Sequence, residues 1–176
     1  MHKHMKKYLF ITGFLLLAGC VNAQTGADTI PPYKKDNRLP AFTIQLPDSS
    51  FFTKENIPAG YQYTAIIYFS PDCSHCQHTA RDLVKAMDSL KNVFFIFAAY
   101  KPLEDIKSFA NYYNLDKFKN IVSGRDPRYF IPSFYRVQYT PFVAVYNSRG
   151  TLVQVYDPPN RPSMEVPELV ELVNRH

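Results

Sequence analysis

The chain has 176 residues, of which 46% are apolar, 20% charged and 15% aromatic, with only 6 glycines and 3 cysteines. That length suits one domain of ordinary size; the apolar share excludes collagen-like, low-complexity and fully disordered chains, and three cysteines exclude a disulfide-stapled scaffold. The formal charge is +5, but Lys3, Lys6 and Lys7 precede every acid, and without them 17 basic side chains face 15 acidic ones, so no basic surface for nucleic acid is indicated.

Met1–Lys7 is short and basic, Tyr8–Leu17 is mostly apolar, and Ala18-Gly19-Cys20 closes the run with small residues. This is the order of a secretory signal. A membrane span needs about 20 apolar residues, and this run stops well short. Leu17-Ala18-Gly19-Cys20 also resembles a bacterial lipobox, in which the cysteine becomes the lipidated first residue. Val21-Asn22-Ala23 offers a competing cut after Ala23. The expectation is a signal over 1–19, a lipidated Cys20 that anchors the protein to a membrane, and a domain facing the periplasm. The competing cut gives a soluble periplasmic protein. Both products lie outside the cytoplasm, where disulfides persist. Residues 20–38 read as a flexible tether, because Pro31-Pro32 cannot donate to a strand ladder. Residues 39–176 are expected to form the domain.

Ala41–Leu46 alternates apolar and polar residues and predicts a half-buried strand. Tyr63–Phe69 is dense in β-branched and aromatic residues, fit for a strand covered on both faces. Ser70-Pro71-Asp72 breaks it. After Cys73, the residues Ala80, Leu83, Val84, Met87 and Leu90 follow helical spacing. Val93–Ala99 is a second buried run. Pro102 suits the first turn of a helix whose inner face would carry Ile106, Phe109, Ala110 and Tyr113. Ile121–Ser123 reads as a short strand, and Tyr129–Tyr135 as a short helix disturbed by Pro132. Phe142–Tyr146 and Thr151–Tyr156 read as strands around an Asn147-Ser148-Arg149-Gly150 hairpin turn. Val166–Asn174 closes as a helix that tolerates Pro167 in its first turn. Such an order implies an α/β fold, a mixed central sheet with helices on both faces.

Cys73-Ser74-His75-Cys76 lies between the buried strand and the amphipathic helix. Disulfide exchange needs two sulfurs close enough to bond, one of them ionised near neutral pH. A two-residue spacer at a helix start provides both. Unsatisfied N–H groups and the helix dipole favour a thiolate at Cys73 by about 0.3–1 kcal/mol. A protonated His75 would add positive charge, whereas Asp72 opposes a second negative charge. Zinc is disfavoured because Cys73, Cys76 and His78 make three ligands where four are usual. A purely structural disulfide would close too small a ring to staple much chain.

These features, with Thr140-Pro141 opening a late strand and hairpin, resemble the thioredoxin superfamily. More narrowly they resemble envelope thioredoxin-like disulfide oxidoreductases of the TlpA/ResA type, over Leu39 to about Arg175. The resemblance implies a thioredoxin-like fold in which the segment from Pro102 to Tyr113 fills a helical insertion. It implies that Cys73 is the nucleophile, Cys76 the resolving thiol of a redox-active disulfide, and His75 a modulator of the Cys73 thiol. It also implies that Pro141 is a cis-proline against the sulfurs, and that Thr140, Asp72 and Ser74 line the client contact. No cofactor and no metal are expected. The expected partners are client proteins with disulfides or thiols and a membrane thiol reductant, with client reduction the favoured direction. Two departures stand out. Asp72 replaces the usual Trp before the first cysteine, and Ile67 occupies the position where thioredoxins keep a buried acid. A thioredoxin-fold peroxidase is the alternative enzyme, although Ser70 stands where its threonine would be. A metal- or client-binding module without turnover is the other alternative, although Val137-Gln138-Tyr139 supplies no ligand and His176 is terminal.

Overall fold

The computed structural model describes residues 30–158 and 163–175. The chain enters through a single helical turn, α1 (Pro32–Lys35), and a short hairpin of β1 (Thr43–Gln45) and β2 (Phe51–Thr53). β3 (Tyr63–Tyr68) leads into α2 (Ser74–Lys85). β4 (Val93–Ala99), α3 (Leu103–Tyr112) and β5 (Ile121–Arg125) form a parallel crossover. A short α4 (Phe130–Tyr135) precedes the hairpin of β6 (Phe142–Asn147) and β7 (Leu152–Tyr156), and α5 (Val166–Asn174) ends the fold.

The strands form one sheet in the order β2-β1-β5-β4-β3-β6-β7. β3 runs parallel to β4 and antiparallel to β6, with Tyr68 opposite both Ala98 and Phe142. The C-terminal ends of β3 and β4 therefore meet the start of β6 at one edge.

Period-two alternation splits the core into two layers. Ala65, Ile67, Phe95, Phe97, Val143 and Val145 join the cluster that holds Cys76, Ala80 and Leu83 of α2 and Leu169 of α5. Ile66, Tyr68, Phe94, Ile96, Phe142 and Ala144 join the cluster of Tyr33, Ile131 and Tyr135. Both faces are thus covered by helices, as the sequence predicts. Each fully buried Phe or Ile stabilises the fold by about 1.5–3 kcal/mol relative to exposure.

Turn chemistry fixes the last hairpin. The Asn147 carboxamide oxygen accepts the N–H groups of Arg149 and Thr151, both at 3.0 Å. Gly150 takes a left-handed φ of 71°, which glycine adopts without steric cost.

Four sequence expectations are corrected. The segment read as the end of a flexible tether docks on the domain from Pro31 onward. Tyr33 is buried against Tyr135, with ring centroids 5.5 Å apart, and Leu152 N–H donates to Asn37 O at 2.7 Å. A Pro-Pro pair that cannot join a ladder can still start a helical turn. Strand β2 is unanticipated, because Phe51 is exposed and the segment lacks alternation. The helix expected to reach Leu90 ends at Lys85, and a 3-10 turn over Met87–Leu90 completes the apolar face. Pro132 does not disturb α4, since it falls in the first turn, where its missing N–H has no intrahelical acceptor.

Candidate active site

β3 delivers the chain to the sheet edge, where Phe69 N–H donates to Ala98 O at 3.0 Å. The chain then turns, and Cys73 N–H donates to Ser70 O at 3.1 Å. Cys73 caps α2 with extended dihedrals, φ −85° and ψ 118°. Its sulfur thus stands at the helix mouth, where N–H groups have no intrahelical acceptor. Gln77 fastens this turn from within the helix, its Nε2 donating to Pro71 O at 2.9 Å.

The two sulfurs occupy different surroundings. Cys73 is half-buried, Cys76 is 2% exposed, and both are free thiols. Burial pushes the Cys73 thiol up. Hydrogen bonds from the Cys76 thiol and N–H, the Thr140 side chain and the His75 N–H outweigh it, so the thiol lies below its ordinary value. As a thiol, Cys73 also donates to Thr140 O at 3.3 Å. That contact favours the protonated form, but a single carbonyl faces several donors. Burial pushes Cys76 up to about 12. A backbone hydrogen bond at Ser70 pulls it down only in part, and the bond to Cys73 adds to the rise.

The Thr140–Pro141 peptide bond is cis, and Pro141 is buried. Cys73, Cys76, Thr140 and Pro141 therefore come together from two segments 64 residues apart or more. Ser74 and His75 are exposed on the first turn of α2, and His75 contributes its backbone N–H to the site. Cys20 lies outside the described residues.

Asp72 has a partner that the sequence did not reveal. Lys101 Nζ stands 2.8 Å from Asp72 Oδ2. Lys101 follows β4, whose end shares the sheet edge with the end of β3, so parallel pairing of the two runs was the signal that could have found it. A second unanticipated residue is Asp126, which is fully buried. Its carboxylate accepts Phe130 N–H at 3.0 Å and Ile131 N–H at 2.7 Å, and so caps α4. Ile67, where a thioredoxin would place its acid, is 1% exposed within the apolar cluster of Cys76.

Solved structures share this architecture. A secreted Mycobacterium tuberculosis disulfide oxidoreductase, homologous to E. coli DsbE, aligns with a TM-score of 0.63 and 24% identity over 78% of this chain and 97% of its own. The fold is thioredoxin-like. Two further structures agree on this thioredoxin-like frame. M. tuberculosis DsbF, seen in mixed oxidised and reduced forms, gives a TM-score of 0.61 at 21% identity, over 76% of this chain and 92% of its own. A peroxiredoxin-like protein from Aquifex aeolicus gives 0.62 at 18% identity, over 78% and 84%. No family model and no curated protein sequence matches the chain.

Within this thioredoxin-like frame, the geometry places an ionisable sulfur at a partly open helix mouth and a protonated one directly behind it. Such a pair can attack an external disulfide and then close on itself. Among the described residues, no group of three His, Cys, Asp or Glu side chains is placed to hold a metal ion, and no helix is long and apolar enough to cross a membrane.

Proposed function

We propose that the protein is a thiol–disulfide oxidoreductase of the cell envelope that reduces disulfides in client proteins. The observation that carries this reading is the placement of the two thiols, with Cys73 half-buried at the helix mouth and Cys76 2% exposed in the core, which lowers the first thiol and raises the second. The Cys73 thiolate attacks one sulfur of a client disulfide. A Cys73–client bond forms, the client S–S bond breaks, and the second client sulfur leaves as a thiolate that takes a proton from water. Cys76 then gives up its proton and attacks Cys73 Sγ. The Cys73–Cys76 disulfide forms, the mixed disulfide breaks, the first client sulfur leaves as a thiolate that takes up a proton, and the client has gained two electrons. The backbone of Thr140, hydrogen-bonded to Cys73, would pair with an extended client segment.

The envelope location is supported by the signal-like residues 1–19 and by the lipobox resemblance around Cys20. A membrane thiol reductant would restore the dithiol.

Two variants test the reading. Cys73→Ser is expected to abolish insulin reduction. Cys76→Ser is expected to accumulate mixed disulfides that dithiothreitol releases, recovered in cells from the envelope fraction. A Cys73→Ser protein that reduces insulin at the wild-type rate would contradict the assignment, and adducts confined to cytoplasmic proteins would contradict the location.

A further inference from the structure

Asp72 directly precedes Cys73, and a carboxylate close to a thiol disfavours its ionisation. The structure sets Lys101 against it at 2.8 Å, across 29 residues of chain. The ion pair joins the redox turn to the connection between β4 and α3. The Asp72 side chain is 80% exposed and that of Lys101 39%. Exposed ion pairs add little to folding stability, so the consequence of this one lies in the local field and in the set of the turn.

The charged and titratable groups around Cys73 can be named element by element. Asp72 and His75 lie on its own turn and helix, with Cys76 behind. Lys101 comes from the end of β4. From α3 comes Asp105, which lines a cavity of about 480 Å³ together with Asp72, Gln77 and Phe109 and acts electrostatically on Lys101. Lys101 is the cation in this group that is fixed by a hydrogen bond to the redox turn.

Building on the disulfide-exchange reading, we propose that Lys101 is a positioning residue of the redox site: it holds the Asp72 carboxylate in an ion pair and offsets its charge next to Cys73. Asp72 then sits next to the nucleophile without suppressing it.

The test is a charge cycle read by the pH profile of Cys73 alkylation with iodoacetamide in the fully reduced protein. Lys101→Gln leaves Asp72 uncompensated and is expected to lower the Cys73 thiolate fraction at neutral pH by about two- to threefold, the size of one screened charge nearby. Asp72→Asn leaves Lys101 uncompensated and is expected to raise that fraction by about the same factor. The double variant should return close to wild type, and Lys101→Arg should retain the wild-type profile. Salt at about 1 M should shrink both single-variant shifts. A merely structural role would move both single variants in the same direction. That outcome, or two unchanged profiles, would overturn the role of Lys101 while leaving exchange through Cys73 intact. Exchange activity surviving in Cys73→Ser would instead overturn the reading on which it rests.

Discussion

At the scale of single residues, Cys76 sets the demands of the second step of the exchange cycle. Burial pushes its thiol up to about 12, and Ile67 leaves no carboxylate beneath it in the apolar cluster they share. The second step is therefore expected to draw on bases from solvent. Below its pKa, the thiolate fraction of a group rises about tenfold per pH unit. The rate at which Cys76 closes a preformed mixed disulfide on Cys73 should follow that slope from about pH 6 to about pH 9, as seen by stopped-flow release of a reporter thiol. A plateau below about pH 8 would mean that an internal proton acceptor exists. The sulfur pair itself was legible in the sequence, because its spacing and its place between strand and helix are local. The cis geometry of Pro141 was expected only through the family resemblance. Lys101 was not legible, because its partner is 29 residues away and only strand pairing brings them together.

At the scale of elements, α4 shows how a short helix is held in place. It has six residues and a proline in its first turn, too few for intrinsic helical stability. The buried carboxylate of Asp126 accepts two of its N–H groups, and Ile131 and Tyr135 anchor it in the core. From α4 the chain runs through Arg136–Tyr139 to Thr140-Pro141. Asp126→Ala removes both acceptors and strands buried donors, and should cost about 2–3 kcal/mol in urea unfolding. Asp126→Asn should recover part of it, and a loss below about 0.5 kcal/mol would refute the capping role. The sequence located this helix well but misjudged its proline, and it missed Asp126 because the cap lies four residues upstream of the first helical residue. The β1–β2 hairpin was only half legible, since a three-residue edge strand with an exposed Phe51 carries little periodic signal.

At the scale of the whole molecule, the topology does what no single segment could. The ends of two parallel strands and the start of an antiparallel one meet at the same end of the sheet and bring the redox turn, Lys101 and Thr140-Pro141 into one place. The alternating apolar patterns of β3, β4 and β6 made this sheet readable in advance, because each residue's face follows from its position in the strand. The docking of residues 31–38 was not readable, because it depends on one tyrosine finding a gap beside Tyr135. The sheet edge leaves Cys73 at a partly open helix mouth and sends Cys76 into the core, and the proposed activity rests on that separation. Alkylation of the reduced protein from about pH 5 to about pH 10, resolved by peptide mass spectrometry, measures it directly. A thiol reacts only when ionised. Cys73 should therefore be modified with a midpoint below that of the same thiol in the unfolded chain, while Cys76 stays unmodified throughout. Equal reactivity of the two cysteines, or modification of Cys76 first, would contradict the division of roles.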